Sequence, residues 1–98
     1  MNTQGLNPTS RYPWESLDLD EDLFQVLSSP TRVLILKELA RRQMTLSDLA
    51  RALGLSKSTI HEHLIRLNEA DLVYPITGRK WIYYRLSRKG MYVIGLLR

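Results

Sequence analysis

The chain has 98 residues, 44% hydrophobic and 24% charged, with five Gly, four Pro and no Cys. That length allows one small domain; the composition excludes a collagen-like or wholly disordered chain, and the lack of cysteine excludes a disulfide framework and a thiolate metal site. The formal charge of +4 is unevenly divided: residues 1–28 set Arg11 against Glu15, Asp18, Asp20, Glu21 and Asp22, a net of −4, whereas residues 29–98 hold 13 basic and five acidic residues, a net of +8.

A basic body behind an acidic N-terminal segment is the electrostatic footprint of a nucleic-acid binder, although a well-solvated basic surface would carry the same charge. No apolar run approaches the roughly 18–20 residues of a membrane span. The polar start, MNTQGLNPTSRYPWES, has no signal-peptide core. The expectation is a soluble, cytoplasmic protein of a prokaryote with no membrane partner.

In chain order, residues 1–15 read as a flexible N-terminal arm, with Gly5, Pro8 and Pro13 among short polar residues, and residues 16–98 as the folded domain. From Ser16 the pattern is helical, with Leu19, Leu23, Val26 and Leu27 on one stripe and Phe24 beside it. The acids of its first turns suit the positive end of a helix dipole. Ser29-Pro30 opens a second, mostly apolar helix that runs to about residue 42. Thr45 with Asp48 three residues on is a capping-box pattern for a short helix over 46–53, which Gly54 ends.

Ser56 caps a fourth helix, 57–70. After Asp71 the period changes: 72–76 and 81–86 are β-rich runs around Thr77-Gly78-Arg79-Lys80, a hairpin with a basic tip. Pro75 cannot donate a ladder hydrogen bond, which places its strand at an edge. Ser87 caps a last helix, 88–98.

A short helix, a glycine-containing turn (Leu53-Gly54-Leu55-Ser56) and a second helix make a helix-turn-helix, and the basic hairpin behind it makes a winged helix. The fold expected is mainly α with a small β-hairpin. At 100° per residue, Ile60, Leu64 and Leu67 of the fourth helix face inward with His63 at their border, and Ser58, His61, Glu62, Ile65, Arg66 and Glu69 point away. Lys57, Ser58 and His61 occupy the first turns, the part that meets base edges in the major groove. Lys57 suits guanine and Glu62 suits cytosine N4; Arg66 suits a phosphate, or an i+4 pair with Glu62. Arg79 and Lys80 suit the backbone or the minor groove.

Residues 29–36 (SPTRVLIL), 46–50 (LSDLA), 55–64 (LSKSTIHEHL) and 67–73 (LNEADLV), followed by the wing, resemble ArsR-type winged-helix repressors. The resemblance covers about residues 18–98 and implies a homodimer joined through the first and last helices. It also implies that Lys57, Ser58, Thr59, His61 and Glu62 hold the family's base-reading positions; with Ser56, Arg66, Arg79 and Lys80 they form the expected DNA-binding set. Metal-sensing members carry Cys-x-Cys-Asp at the start of the third helix, where this chain has Thr45-Leu46-Ser47-Asp48, or a carboxylate and His on the last helix, where it has neither. His61 and His63, about 200° apart on a helix, cannot share one ion. No metal and no cofactor is expected.

The dimer has support beyond the resemblance. Leu19, Leu23, Phe24, Leu27, Tyr92, Val93, Leu96 and Leu97 are more apolar surface than one thin layer buries, and an eleven-residue last helix is marginal alone. The alternative is that the two terminal helices pack only on each other. Without a phosphate loop, a nucleophilic Cys or paired carboxylates near a His, no enzyme is indicated. The expected function is a sequence-specific, dimeric transcriptional regulator, a repressor on a palindromic operator of double-stranded DNA, with a small-molecule or protein effector left open. An architectural DNA coat and a protein–protein module are the competing readings, since fold does not fix function.

Overall fold

Five helices and three short strands follow one another along residues 21–97, the part of the chain described by the structure, a computed structural model. Leu19 and the expected arm lie outside the described residues. Helix α1 (Glu21–Leu27) opens on Glu21 and Asp22, acids at its positive end. Ser29 ends the connection and caps α2 (Pro30–Arg41), accepting the Arg32 N–H at 3.3 Å, with Pro30 in the first turn, where its missing N–H costs nothing. Strand β1 (Met44–Thr45) runs straight into α3 (Leu46–Leu53). Thr45 belongs to both: its hydroxyl accepts from the Asp48 N–H and its own N–H donates to the Asp48 carboxylate, each at 3.0 Å, the reciprocal box that the sequence predicts.

Helix α4 (Lys57–Glu69) leads through a tight junction into β2 (Val73–Thr77) and β3 (Ile82–Leu86), and Ser87 caps α5 (Arg88–Leu96) through the Gly90 N–H. The sheet is antiparallel in the order β1-β3-β2, with Met44 opposite Tyr84 and Val73 opposite Leu86. The expected hairpin therefore gains a third strand, β1, and β2, carrying Pro75, lies at the edge as its chemistry requires.

The core lies where α2, α3, α4 and α5 meet the base of the sheet. Ile35, Leu36, Leu49, Ile60, Leu64, Leu67, Leu72, Val73 and Val26 are completely or almost completely buried, and no polar or charged side chain among the described residues is buried with them. Ile60, Leu64 and Leu67, at i, i+4 and i+7, form one stripe down α4, and burying each leucine contributes about 2 kcal/mol.

Val93, expected at a dimer face, is only 2% exposed and belongs to this core. Helix α5 is apolar on nearly every side, so its pattern could not tell an inward valine from an outward one. The helix approaches the α4–β2 junction so closely that a Cβ on Gly90 would overlap the carbonyl oxygen of Leu72.

That junction is stitched by side chains bonded to main-chain carbonyls. The Asn68 amide donates to Val73 at 2.9 Å, the Ser87 hydroxyl to Asp71 at 2.6 Å and the Lys89 ammonium to Ala70 at 2.8 Å. Asp71 takes the left-handed conformation, φ 62°, that turns the chain from helix to strand.

Candidate nucleic-acid interface

The turn between α3 and α4 follows from local chemistry. Gly54 has φ 68°, and a Cβ there would meet nothing within 4 Å, so glycine is required for the backbone angle rather than for space. The N–H groups of Gly54 and Leu55 both return to the Ala50 carbonyl and close α3. Ser56 starts α4: its oxygen accepts the Thr59 N–H at 3.2 Å, and its hydroxyl donates to Thr59 Oγ1 at 2.9 Å. Two members of the expected DNA-binding set, Ser56 and Thr59, are thus engaged in building the helix start, with Thr59 half-buried.

Lys57, Ser58, His61 and Glu62 stand exposed on the first two turns of α4. Among the described residues nothing hydrogen-bonds the Lys57, His61 or Glu62 side chains, and Ser58 Oγ has only Ser56 Oγ at 3.3 Å. This is a mixed surface of an ammonium, a carboxylate, a hydroxyl and an imidazole, held on a helix whose opposite side is locked in the core.

Arg66 pairs with α1 rather than with Glu62. Its guanidinium donates to the Asp22 carboxylate of α1 at 2.6 Å and lies 3.9 Å from Glu69, and the i+4 pair with Glu62 is not formed. The hydrogen bond with Asp22 raises the basicity of Arg66 further and draws the Asp22 carboxyl below the usual carboxylate range. His63, at the border of the inner stripe, has Nδ1 3.4 Å from Arg32 Nη1. Partial burial, helped by the Arg32 charge and opposed by Glu62, lowers its pKa below 6.5, so the neutral ring accepts from the guanidinium.

The wing tip is a turn closed by one bond, the Gly78 N–H donating to the Trp81 carbonyl at 2.9 Å. Arg79 and Lys80 are exposed at its end. Lys80 Nζ lies 5.6 Å from the centre of the Trp81 ring, within cation–π range, and that ring is 53% exposed. Residues 72–98 contain six basic and no acidic residues, so the wing and α5 form the most one-signed stretch of the chain.

Of the residues expected at a dimer face, Phe24, Tyr92, Leu96 and Leu97 are exposed at 65, 45, 68 and 42%, and Leu23 and Leu27 are half-buried against the core. The terminal helices each pack on α2 rather than burying these side chains on one another.

Sequence reasoning passed over Arg32 and Trp81. An arginine in the first turn of a mostly apolar helix was the available signal for the first. For the second it was a large aromatic next to a basic tip, at a strand end with no helix to cover it. No group of three or more His, Cys, Asp or Glu among the described residues could hold a metal ion, and no described helix is long and apolar enough to cross a membrane.

Residues 29–74 match the model of the bacterial regulatory proteins of the arsR family. The chain is 35% identical over 66 residues to the transcriptional repressor SdpR of Bacillus subtilis, covering 67% of this chain and 73% of that protein. It spans about 60% of the length of several other curated relatives. The crystal structure of NolR from Sinorhizobium fredii superposes with a TM-score of 0.73 at 30% identity, covering 94% of this chain and 93% of that one. The fold alone is shared with a homodimeric winged helix-turn-helix DNA-binding domain, Mb0332 of Mycobacterium bovis, at TM-score 0.75 and 22% identity, over 94% of this chain and 86% of that one. The family is one of regulatory proteins and not of enzymes. The chain belongs to the arsR family of bacterial regulatory proteins.

Proposed function

We propose that this protein is a cytoplasmic transcriptional repressor that binds double-stranded DNA as a homodimer at a palindromic operator. The N-terminal turns of α4 enter the major groove, where Lys57, Ser58, His61 and Glu62 read base edges, and Arg79 and Lys80 of the wing meet the backbone or the minor groove. Ser56 and Thr59 serve this reading through the helix start that they build.

The observation that carries it is the exposed, mixed-charge group on the first turns of α4. A helix that only gripped phosphates would carry lysines and arginines there, whereas a lysine, a carboxylate, a hydroxyl and an imidazole suit base discrimination. The second copy is supported by the uncovered Phe24, Tyr92, Leu96 and Leu97 on the two terminal helices, and by the homodimeric state of the mycobacterial domain of the same fold.

Selection of binding sequences from a random duplex pool at near-physiological salt tests the reading. Enrichment of an inverted repeat with half-sites about one helical turn apart is the expected result. Retention without enrichment would show an architectural DNA coat, and no retention would leave a protein–protein module. Sedimentation at micromolar concentration is expected to give twice 11.4 kDa; a monomer would remove the palindrome from the reading.

A further inference from the structure

Two arginines fasten the first helix to the recognition helix. Arg66, on α4, donates to Asp22 at 2.6 Å and stands 3.5 Å from the Gln25 side-chain oxygen, both on α1. Arg32, on α2, donates from Nε to the Val26 carbonyl at 2.7 Å and from Nη2 to the Gln25 carbonyl at 3.2 Å. Its Nη1 lies 3.4 Å from His63 of α4. Helix α1 packs on α2, burying Val26 completely and setting Leu23 and Leu27 half-buried against the core. The two guanidiniums add polar ties to that packing, and both reach Gln25.

The arrangement changes the role of Arg66. Its charge is matched by Asp22 at 2.6 Å, with Glu69 3.9 Å away. A phosphate would have to displace a carboxylate already in place, and an arginine so compensated adds little to the counterion release that drives phosphate binding. Helix α1 also carries Phe24, an exposed member of the proposed dimer face.

We propose that Asp22 and Arg66, assisted by Arg32, form a clasp that sets the angle of α4 against α1. Arg66 is on this view a positioning residue for DNA recognition and not a phosphate ligand. The clasp links the element that would join two copies to the element that would read the operator, so the pose of α1 biases the pose of α4.

The inference rests on the DNA-binding reading, and the sign of one substitution tests it. Binding of the full-length wild type, Asp22→Asn, Arg66→Ala and the double variant is measured on the selected duplex and on an unrelated one, across a range of salt. The expected result is a loss of about three- to tenfold for each single variant, on the selected duplex only. The dependence on salt stays unchanged, and the double variant is no worse than either single one, because both remove the same link. Asp22→Glu, which keeps the charge, restores most of the wild-type binding.

Tighter binding by Asp22→Asn, together with a salt slope lowered by about one in Arg66→Ala, would overturn the proposal. Arg66 would then be a phosphate ligand that Asp22 restrains. Wild-type binding that neither variant alters would overturn it too. Failure of the wild type to bind any duplex would overturn the DNA reading itself. Circular-dichroism melts of each variant separate lost positioning from lost folding; a melt lowered in step with affinity would assign the pair to stability and overturn the proposal.

Discussion

The helix-turn-helix and the wing occupy one small domain and are held in opposite ways. Helix α4 is fixed from several directions at once: a capped start, a left-handed glycine before it, a fully buried stripe of Ile60, Leu64 and Leu67, and the Arg32 and Arg66 contacts to α1. The wing tip hangs on a single main-chain bond between Gly78 and Trp81, with Arg79, Lys80 and half of an indole in solvent. Where hydrogen-bond geometry must be met to a fraction of an ångström, the chain invests packing. In the proposed complex the charge of the wing has only to reach an anionic surface, for which a short loop suffices, because Coulomb attraction falls off slowly and tolerates misplacement.

Substitutions can break this contrast. Leu64→Ala, beneath the recognition helix, is expected to cost about 2–5 kcal/mol of folding stability, read from urea unfolding. A loss below 1 kcal/mol would mean that α4 is less firmly seated than its burial implies. Ser58→Ala or His61→Ala should leave the unfolding curve in place and cost about 1–3 kcal/mol on the preferred duplex while sparing unrelated DNA. Equal losses on both duplexes would move these residues from base reading to general contact. Replacing both Arg79 and Lys80 by Ala should weaken binding to every duplex alike and lower the salt slope by up to about two; an unchanged slope would take the wing off the backbone.

The smallest effect concerns His63. Its pKa is lower in the folded chain than in the unfolded one, because burial and Arg32 disfavour the charged ring. The unfolded state therefore binds the proton more readily. This group's share of stability is complete above about pH 6.5 and is lost as the pH falls through that value towards the folded pKa. His63→Asn retains an acceptor for Arg32 without titrating, so its melting temperature should fall less between pH 7 and pH 5 than that of the wild type. Identical slopes would show that the Arg32 contact does not sense the proton.

These same regions explain what could be read from the chain alone. Helix α3 was expected over 46–53 and occupies Leu46–Leu53; α4 was expected over 57–70 and occupies Lys57–Glu69. Their bounds rest on Thr45, Asp48, Gly54 and Ser56, whose bonds reach no further than five residues along the chain. Strand β1 was missed for the converse reason: two residues have no period, and Met44–Thr45 is a strand only because Tyr83 and Tyr84 arrive beside it from far along the chain. Arg66 followed the same rule. Helical spacing offered Glu62 one turn away, and the partner it takes, Asp22, is 44 positions distant. Val93 was lost to ambiguity, since α5 has no polar side from which to measure an inward direction.

The loosely held wing also gives the protein an optical probe of its own. The chain has two tryptophans, Trp14 and Trp81, and the second sits half in solvent with an ammonium group 5.6 Å from its ring. A polyanion that draws Lys80 away alters the field on the indole, and one that covers the tip shields it from collisional quenchers. In a Trp14→Phe background the emission of Trp81 therefore follows occupancy of the wing without any attached dye. Contact by the hairpin can then be timed separately from contact by the recognition helix, which contains no Trp, Tyr or Phe.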